Sequence, residues 1–449
     1  MFRKILIANR GEVALRIIRA CRELGVATVA VHSEADRDSL PVMLADEAIC
    51  IGPGPARDSY LNASRLLAAG EVTHCEALHP GYGFLSESSA FAEATEAWHL
   101  KFIGPGWEAM RLLGDKIAAR DLARRAGVPV APGSDGEVRD AREAAKICAG
   151  LGYPVMIKAA AGGGGKGMRA VRGEKDLETG FRLCQAEAGA SFGDPRVYLE
   201  KLIANPRHVE IQVLADEHGN VIHLGERDCS AQRRHQKFLE ESPSPAVSAA
   251  LRMQLGDWSV ALARTAGYVN AGTVEFLLDE QDDACFIEMN CRLQVEHPIT
   301  EMVSGVDVVR EQIRIAAGEK LDCGLRLTAY GLRLQGHALE CRICAEDPEA
   351  DFEPNAGRIT ELHLPAGPGI RVDSHLTSGC SIPPFYDSLL AKIIAWGPTR
   401  PKAIARMEGA LAETVISGIP NTLTFLRKFL ENEAFLQGKL VIGRRAEVS

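Results

Sequence analysis

Short apolar runs bounded by turn residues open the chain. Residues 4–8 read as a strand and Asn9 to Glu12 as a turn, after which Val13, Ile17, Cys21 and Leu24 recur at helical spacing as far as Gly25. Residues 26–31 form the next apolar run, and strand, helix, strand in that order predicts a parallel α/β sheet. The first turn carries one glycine where a dinucleotide fingerprint needs three, so this unit reads as scaffold or as a partial nucleotide-like site. Residues 77–87 punctuate a later strand end with Gly81 and Gly83, which fits a tight turn or a point of ligand approach to an open sheet. The first sheet closes at residues 102–105, and a boundary falls near Gly114.

Residues 116–126 then read as a helix and 128–133 as a linker. The run 153–159 predicts a strand, the glycines of 162–167 follow, and 168–171 form another short apolar-basic strand. Gly162, Gly164 and Gly167 match G-x-G-x-x-G, but a dinucleotide turn opens a helix and this one returns to a strand. A Walker loop fails because Gly167, not Ser or Thr, follows Lys166. What survives is a surface loop or a flap whose bare amides wrap phosphates, with Lys158 and Lys166 beside it. Residues 208–214 and 221–228 alternate and pair across His218-Gly219-Asn220 as a hairpin. The basic stretch 229–237 after it is either an exposed loop or the counter-charge of an anion.

The richest pattern lies at 272–298. Residues 272–278 and 286–290 alternate around a polar turn, so they predict a hairpin in which Glu275 faces Glu288, with Asn290 on the same face and Ile287 and Met289 on the other. Such a row fits a charged edge strand, or a cavity in which hard oxygen ligands hold Mg²⁺ beside substrate phosphates. Arg292 and Glu296 add a cation and a candidate base. From about Leu334 the chain reads as a separate, smaller domain of short strands, with a helix over 401–415.

With 449 residues, 46% of them hydrophobic, the chain has core enough for two or three domains. A net charge of −9 argues against nucleic acid and anionic membrane as partners. No apolar run approaches a membrane span and no leader precedes the first strand, so a cytoplasmic protein is expected. The 12 cysteines lie singly except Cys341-x-x-Cys344, which sits on a predicted strand whose positions three apart face opposite ways, so reduced thiols are expected.

Together, Ile7-Ala8-Asn9-Arg10-Gly11-Glu12, His79 to Glu87, Gly162 to Met168, Glu226 to Lys237 and Glu288 to Glu301 resemble the motifs of biotin carboxylases, of the ATP-grasp superfamily, over most of the chain. The resemblance implies an α/β and α+β protein: a Rossmann-like parallel domain at 1–114, an ATP-grasp domain at 115–333 with a mobile glycine-rich lid at about 131–203, and a smaller mixed domain at 334–449. It implies that Lys116, Lys158 and His208 hold ATP phosphates with Gly164 and Gly165 closing over them. Glu200, Lys201, Leu202 and Ile203 would meet the adenine, and Gln232, His235 and Leu277 would line the nucleotide pocket. Glu275, Glu288 and Asn290 would ligate Mg²⁺ or Mn²⁺. Lys237, Arg292, Gln294, Val295 and Glu296 would bind bicarbonate, with Glu296 its base. Tyr82, Arg292 and Arg342 would meet biotin, and Arg342 would stabilise its enolate.

The implied activity is ATP-dependent carboxylation of biotin carried on a biotin carboxyl carrier protein, alongside carboxyltransferase subunits. Because no biotin-accepting or carboxyltransferase segment is present, a stand-alone subunit is expected, of acetyl-CoA carboxylase in fatty acid synthesis or else of a propionyl-CoA, pyruvate or 2-oxoglutarate carboxylase. Another ATP-grasp carboxylate–amine ligase is the alternative from a different class. A homodimer is expected through the first helix, with Arg16, Arg19 and Glu23 exposed opposite its apolar stripe. Two positions depart from the pattern: Pro368, where an aromatic is frequent, and the tail from Val441 to Ser449.

Overall fold

The computed structural model describes residues 1–162, 167–321, 327–328, 331–332 and 334–442. Gly164 and Gly165 and most of the tail therefore lie outside the described residues. The first layer is a five-stranded sheet of β1 (Lys4–Ile7), β2 (Ala27–Ser33), β3 (Glu47–Gly52), β4 (Ala77–His79) and β5 (Lys101–Phe102), in the order β3-β2-β1-β4-β5. All its pairings are parallel, as strand–helix–strand patterning requires. Helix α1 (Gly11–Glu23) leaves β1 at the point where strand order reverses, and Asn9 closes that crevice by donating to the carbonyls of Pro80 and Tyr82.

The lid is a three-stranded antiparallel sheet of β6 (Val155–Ala159), β7 (Met168–Val171) and β8 (Val197–Lys201), with β6 in the middle. Alternation on β6 turns Val155 and Ile157 into a small core with Leu177 and Phe181, which leaves Met156 and Lys158 on the other face. Gly162 lies at φ +94° with the ring of Phe192 where a Cβ would sit, so no other residue fits there.

The largest sheet is antiparallel and has eight strands: β13 (Ala284–Asn290), β12 (Asn270–Leu278), β9 (Arg207–Ala215), β10 (Val221–Arg233), β11 (Gln236–Ser242), then His337–Cys344, Leu389–Gly397 and Ile370–Ser374. His337–Cys344 pairs directly with β11, so the first long strand beyond Leu334 continues this sheet. The helix expected over 401–415 runs Arg400–Glu413, and Val415 opens a strand instead. The basic stretch 229–237 is likewise no loop but a continuation of β10 and the turn into β11.

One face of this sheet is apolar: Val209, Ile211, Val274, Phe276 and Met289 share a core. The opposite face carries charge on nearly every strand. The β12–β13 register pairs Glu275 with Glu288 but slips between Phe276 and Glu275, so Ile287 is an extra residue and strict alternation fails there. That bulge puts Phe286 and Met289 both on the core side, with Glu288 and Asn290 on the charged side. Among the described residues no helix is long and apolar enough to cross a membrane.

Candidate active site

The segment from Cys291 to Ser304 crosses the charged face of the sheet and brings its side chains down on it. Glu296 stands just before the helix His297–Ser304 and is wholly buried. Its Oε1 pairs with Lys237 Nζ at 2.7 Å and its Oε2 with Arg342 Nη2 at 3.0 Å. Lys237 also reaches Glu210 at 2.6 Å and Glu275 at 3.2 Å, so one ammonium group joins three carboxylates from three elements. Burial works to raise the Glu296 carboxyl, but Lys237, Arg342 and Arg227 outweigh it and hold the group well below the carboxylate range. An ionised carboxylate beside two cations is a base only while it keeps access to a proton donor placed between them.

Glu275 is the second hub. Its Oε1 accepts from Asn290 Nδ2 at 2.8 Å and Gln294 Nε2 at 3.1 Å, and its Oε2 lies 3.1 Å from His208 Nε2. Against burial, Lys237 and His208 hold Glu275 well below its usual range, and Glu275 in turn raises His208 despite burial. Oxygens and nitrogens of His208, Glu210 and Glu275 gather within 4.8 Å, an arrangement suited to a cation. Of the set expected to ligate metal, Glu275 and Glu288 are cross-strand partners, Asn290 bonds Glu275 through its nitrogen, and its oxygen accepts from Arg292 at 3.2 Å. Two acidic side chains and an amide on one buried face fit a divalent cation once that amide rotates its oxygen inward.

Glu288 continues the row to Lys116 at 3.0 Å. Lys116 is the first residue of the helix Lys116–Arg125, whose N-terminus is capped by Asp115 accepting from Ile117 and Ala118. Lys158 on β6 contacts Glu200 on β8, which also contacts Arg120. Burial, and then the neighbouring Lys116 cation, push the Lys158 amine down to about 7, against the pull of the Glu288 carboxylate. Two buried amines converging from the lid and the body suit a polyanion. The Lys201 amine turns away to the carbonyls of Leu151, Gly152 and Tyr153, which leaves only the backbone of residues 201–203 to meet an adenine edge. Gln232 bonds His208 at 2.7 Å and Leu277 lies opposite it on β12, whereas His235 occupies the exposed turn between β10 and β11.

Arg292 is tied to Glu87 at 2.9 Å and donates to the side-chain Oε1 of Gln294 at 3.2 Å. Tyr82 donates to Glu12, Glu12 pairs with Lys392 at 2.9 Å, and Lys392 donates to the Val295 carbonyl at 2.9 Å. Tyr82 thus joins the site through two intermediaries. Sequence reasoning passed over Glu87, Glu210, Arg227, Glu240, Glu340 and Lys392. Arg227, fully buried, donates to Glu210, Gln212, Thr273 and Thr300 and fixes the crossing segment to the sheet. Strict alternation in 208–214 marked a polar face, but nothing local showed where its partners lie.

Arg16 departs from expectation. Far from being exposed, it is buried and paired with Glu301 at 2.9 Å and Asp307 at 2.5 Å, and only Arg19 and Glu23 remain on the surface. The eleven described cysteines are all free thiols, Cys341 fully buried among them.

The chain matches three family models: the biotin carboxylase N-terminal domain at residues 1–110, the carbamoyl-phosphate synthase L chain ATP-binding domain at 115–323, and the biotin carboxylase C-terminal domain at 340–443. It is 55% identical to a biotin carboxylase of Nostoc sp. over 98% of this chain and 97% of that one. It is similar to the crystal structure of a biotin carboxylase–βγ-ATP complex from Campylobacter jejuni, with a TM-score of 0.95, 48% identity and 98% of each chain covered. It is also similar to the biotin carboxylase domain dimer of the Hydrogenobacter thermophilus 2-oxoglutarate carboxylase, which holds MgADP, ADP and bicarbonate, with a TM-score of 0.94, 48% identity, and 98% and 96% covered.

Proposed function

The chain belongs to the biotin carboxylase family, and from that premise we propose that its charged sheet face activates bicarbonate with ATP and passes the carboxyl group to carrier-bound biotin. The observation that carries this reading is Glu296 held between Lys237 on β11 and Arg342 on the neighbouring strand His337–Cys344. Bicarbonate is a poor electrophile and must first be made a better nucleophile. Glu296 takes its proton while Lys237 and Arg292 bind the anion, aided by Gln294 and the Val295 backbone. Attack on the γ-phosphoryl group of ATP expels ADP and gives carboxyphosphate, whose breakdown yields CO₂ and a phosphate that removes the biotin ureido proton, so that the nitrogen can attack CO₂.

Charge grows on transferring oxygens throughout, and preorganised cations stabilise it without reorganising. Lys116, Lys158 and His208 bind the ATP phosphates. Glu200 and the 201–203 backbone meet the base, with Gln232, His235 and Leu277 around it. A divalent ion on Glu275, Glu288 and Asn290 would supply Lewis-acid neutralisation of phosphate charge. Tyr82 and Arg342 receive biotin, and Arg342 stabilises the enolate oxygen.

Acetyl-CoA carboxylase is the assembly we assign, with a biotin carboxyl carrier protein and carboxyltransferase subunits, because the Nostoc relative matched along nearly its whole length is named simply biotin carboxylase. A 2-oxoglutarate carboxylase is the second reading, favoured by the 48% identity to that domain. That neighbour's dimer also supports a homodimer here. The test is ATP hydrolysis by the purified chain with Mg²⁺, with and without bicarbonate and free biotin. Bicarbonate-dependent hydrolysis together with [¹⁴C]carboxybiotin formation is expected. Hydrolysis that ignores both would overturn the reading in favour of another ATP-grasp ligase.

A further inference from the structure

Two carboxylates on the charged face take no part in the chemistry above. Glu240 on β11 and Glu340 on His337–Cys344 are directly opposed register partners, and both are fully buried. Side chains so opposed stand about 5 Å apart at Cβ, and like charges there repel with little water to screen them. The charged groups facing the pair are Arg342 on the strand of Glu340, Lys237 on β11, Glu296 from the crossing segment and Lys392 from the next strand. Lys237 is already shared by Glu210, Glu275 and Glu296, and Lys392 is held by Glu12. One guanidinium, that of Arg342, is therefore left to three carboxylates. It contacts Glu240 and Glu296, and neither oxygen of Glu340 takes a hydrogen bond among the described residues.

We propose that Glu240 and Glu340 hold one proton between them, resident on Glu340, and that Glu240 is the positioning residue that keeps Arg342 aimed beside Glu296. This rests on the reading of Arg342 given above. With the proton present, Glu240, Glu296 and Arg342 sum to a single negative charge instead of the two that three ionised carboxylates would leave. When Glu296 accepts a proton, Arg342 loses one anionic partner but stays anchored by Glu240, so its charge is turned to the next anion to form nearby. Burial also acts in this direction: it raises Glu340 well above the carboxylate range against the pull of Lys392, and Glu240 to about 7 against the pull of Arg342.

The full chain with Mg²⁺, ATP, bicarbonate and free biotin provides the test. Glu340→Gln replaces a protonated acid by a neutral amide of the same shape, so biotin carboxylation should stay within about threefold of wild type at pH 7. Infrared difference spectra of wild type against that variant should show one protonated carboxyl C=O band lost. Glu240→Gln should lower kcat for biotin carboxylation about tenfold and shift its pH profile, with bicarbonate-dependent ATP hydrolysis within about threefold and part of the loss restored by Glu240→Asp. An unchanged infrared spectrum in Glu340→Gln, or equal loss of both activities in a folded Glu240→Gln, would overturn the proposal. If wild type does not carboxylate biotin, the functional reading fails, and the infrared result still decides the shared proton.

Discussion

Arg342 touches carboxylates of two origins, Glu240 from β11 and Glu296 from the crossing segment, and this decides which substitution is informative there. Removing the cation outright would leave buried anions unpaired, a loss on the order of 3–5 kcal/mol that confuses activity with stability. Arg342→Lys keeps the charge and loses the planar fork that meets two anions at once. It should slow biotin carboxylation by about 10²-fold while bicarbonate-dependent ATP hydrolysis stays within about tenfold, measured on one preparation. Equal loss of the two rates would place Arg342 in carboxyphosphate formation instead. Lys158 presents a simpler case, because Glu200 keeps Arg120 as a partner when the lysine goes. Lys158→Ala should weaken ATP binding by about 2–5 kcal/mol in titration calorimetry, and unaltered affinity would remove it from the phosphate site. Both residues came into view through the family resemblance, whereas Glu240 and Glu340 did not, since a lone glutamate on a strand carries no mark of being buried.

At the level of the element, the hairpin β12–β13 absorbs one extra residue. Ile287 has no partner on β12, and were it paired as an ordinary strand residue, Glu288 would fall on the side of Phe286. Deleting Ile287 leaves Phe286 opposite Phe276 and Glu288 opposite Glu275 on their present faces, so ATP hydrolysis should persist. Loss of hydrolysis in a deletion variant that keeps its Tm would show that the bulge itself aims Glu288. The outer strands make a different prediction. Asp373 lies beside Arg371 and Lys392, which outweigh burial and hold it at about 2, and Glu301 is likewise lowered by Arg16 and Arg371. A carboxyl depressed in the folded state adds stability that is fully present above its unfolded value and is lost as pH falls through the folded one. Thermal unfolding should thus show stability falling between about pH 4.5 and pH 2, by on the order of 2 kcal/mol from Asp373 alone, and Asp373→Asn should flatten that slope.

Across the whole molecule, Arg16 links all three regions: it rises from α1, meets Glu301 on the helix that follows Glu296, and shares that carboxylate with Arg371 of the last strand. Its reversal should act within one chain. Arg16→Glu is expected to cost about 3–5 kcal/mol and lower Tm whatever the oligomeric state, whereas Arg19→Glu, on the surface, should leave Tm alone and shift sedimentation toward monomer. A wild-type monomer at micromolar concentration would rule out the dimer. The sequence by itself determined the parallel first sheet, the strands β6 and β7, the acidic hairpin β12–β13 and the family, because periodicity and contiguous motifs are local and survive without any knowledge of contacts. Only the tertiary structure decided that β11 and His337–Cys344 join two regions into one sheet, that Arg16 is buried, and that Glu210, Arg227, Glu340 and Lys392 stand around Glu296. The worth of a buried charge depends on which partners a distant strand brings within about 4 Å, and residue spacing along the chain carries no record of that.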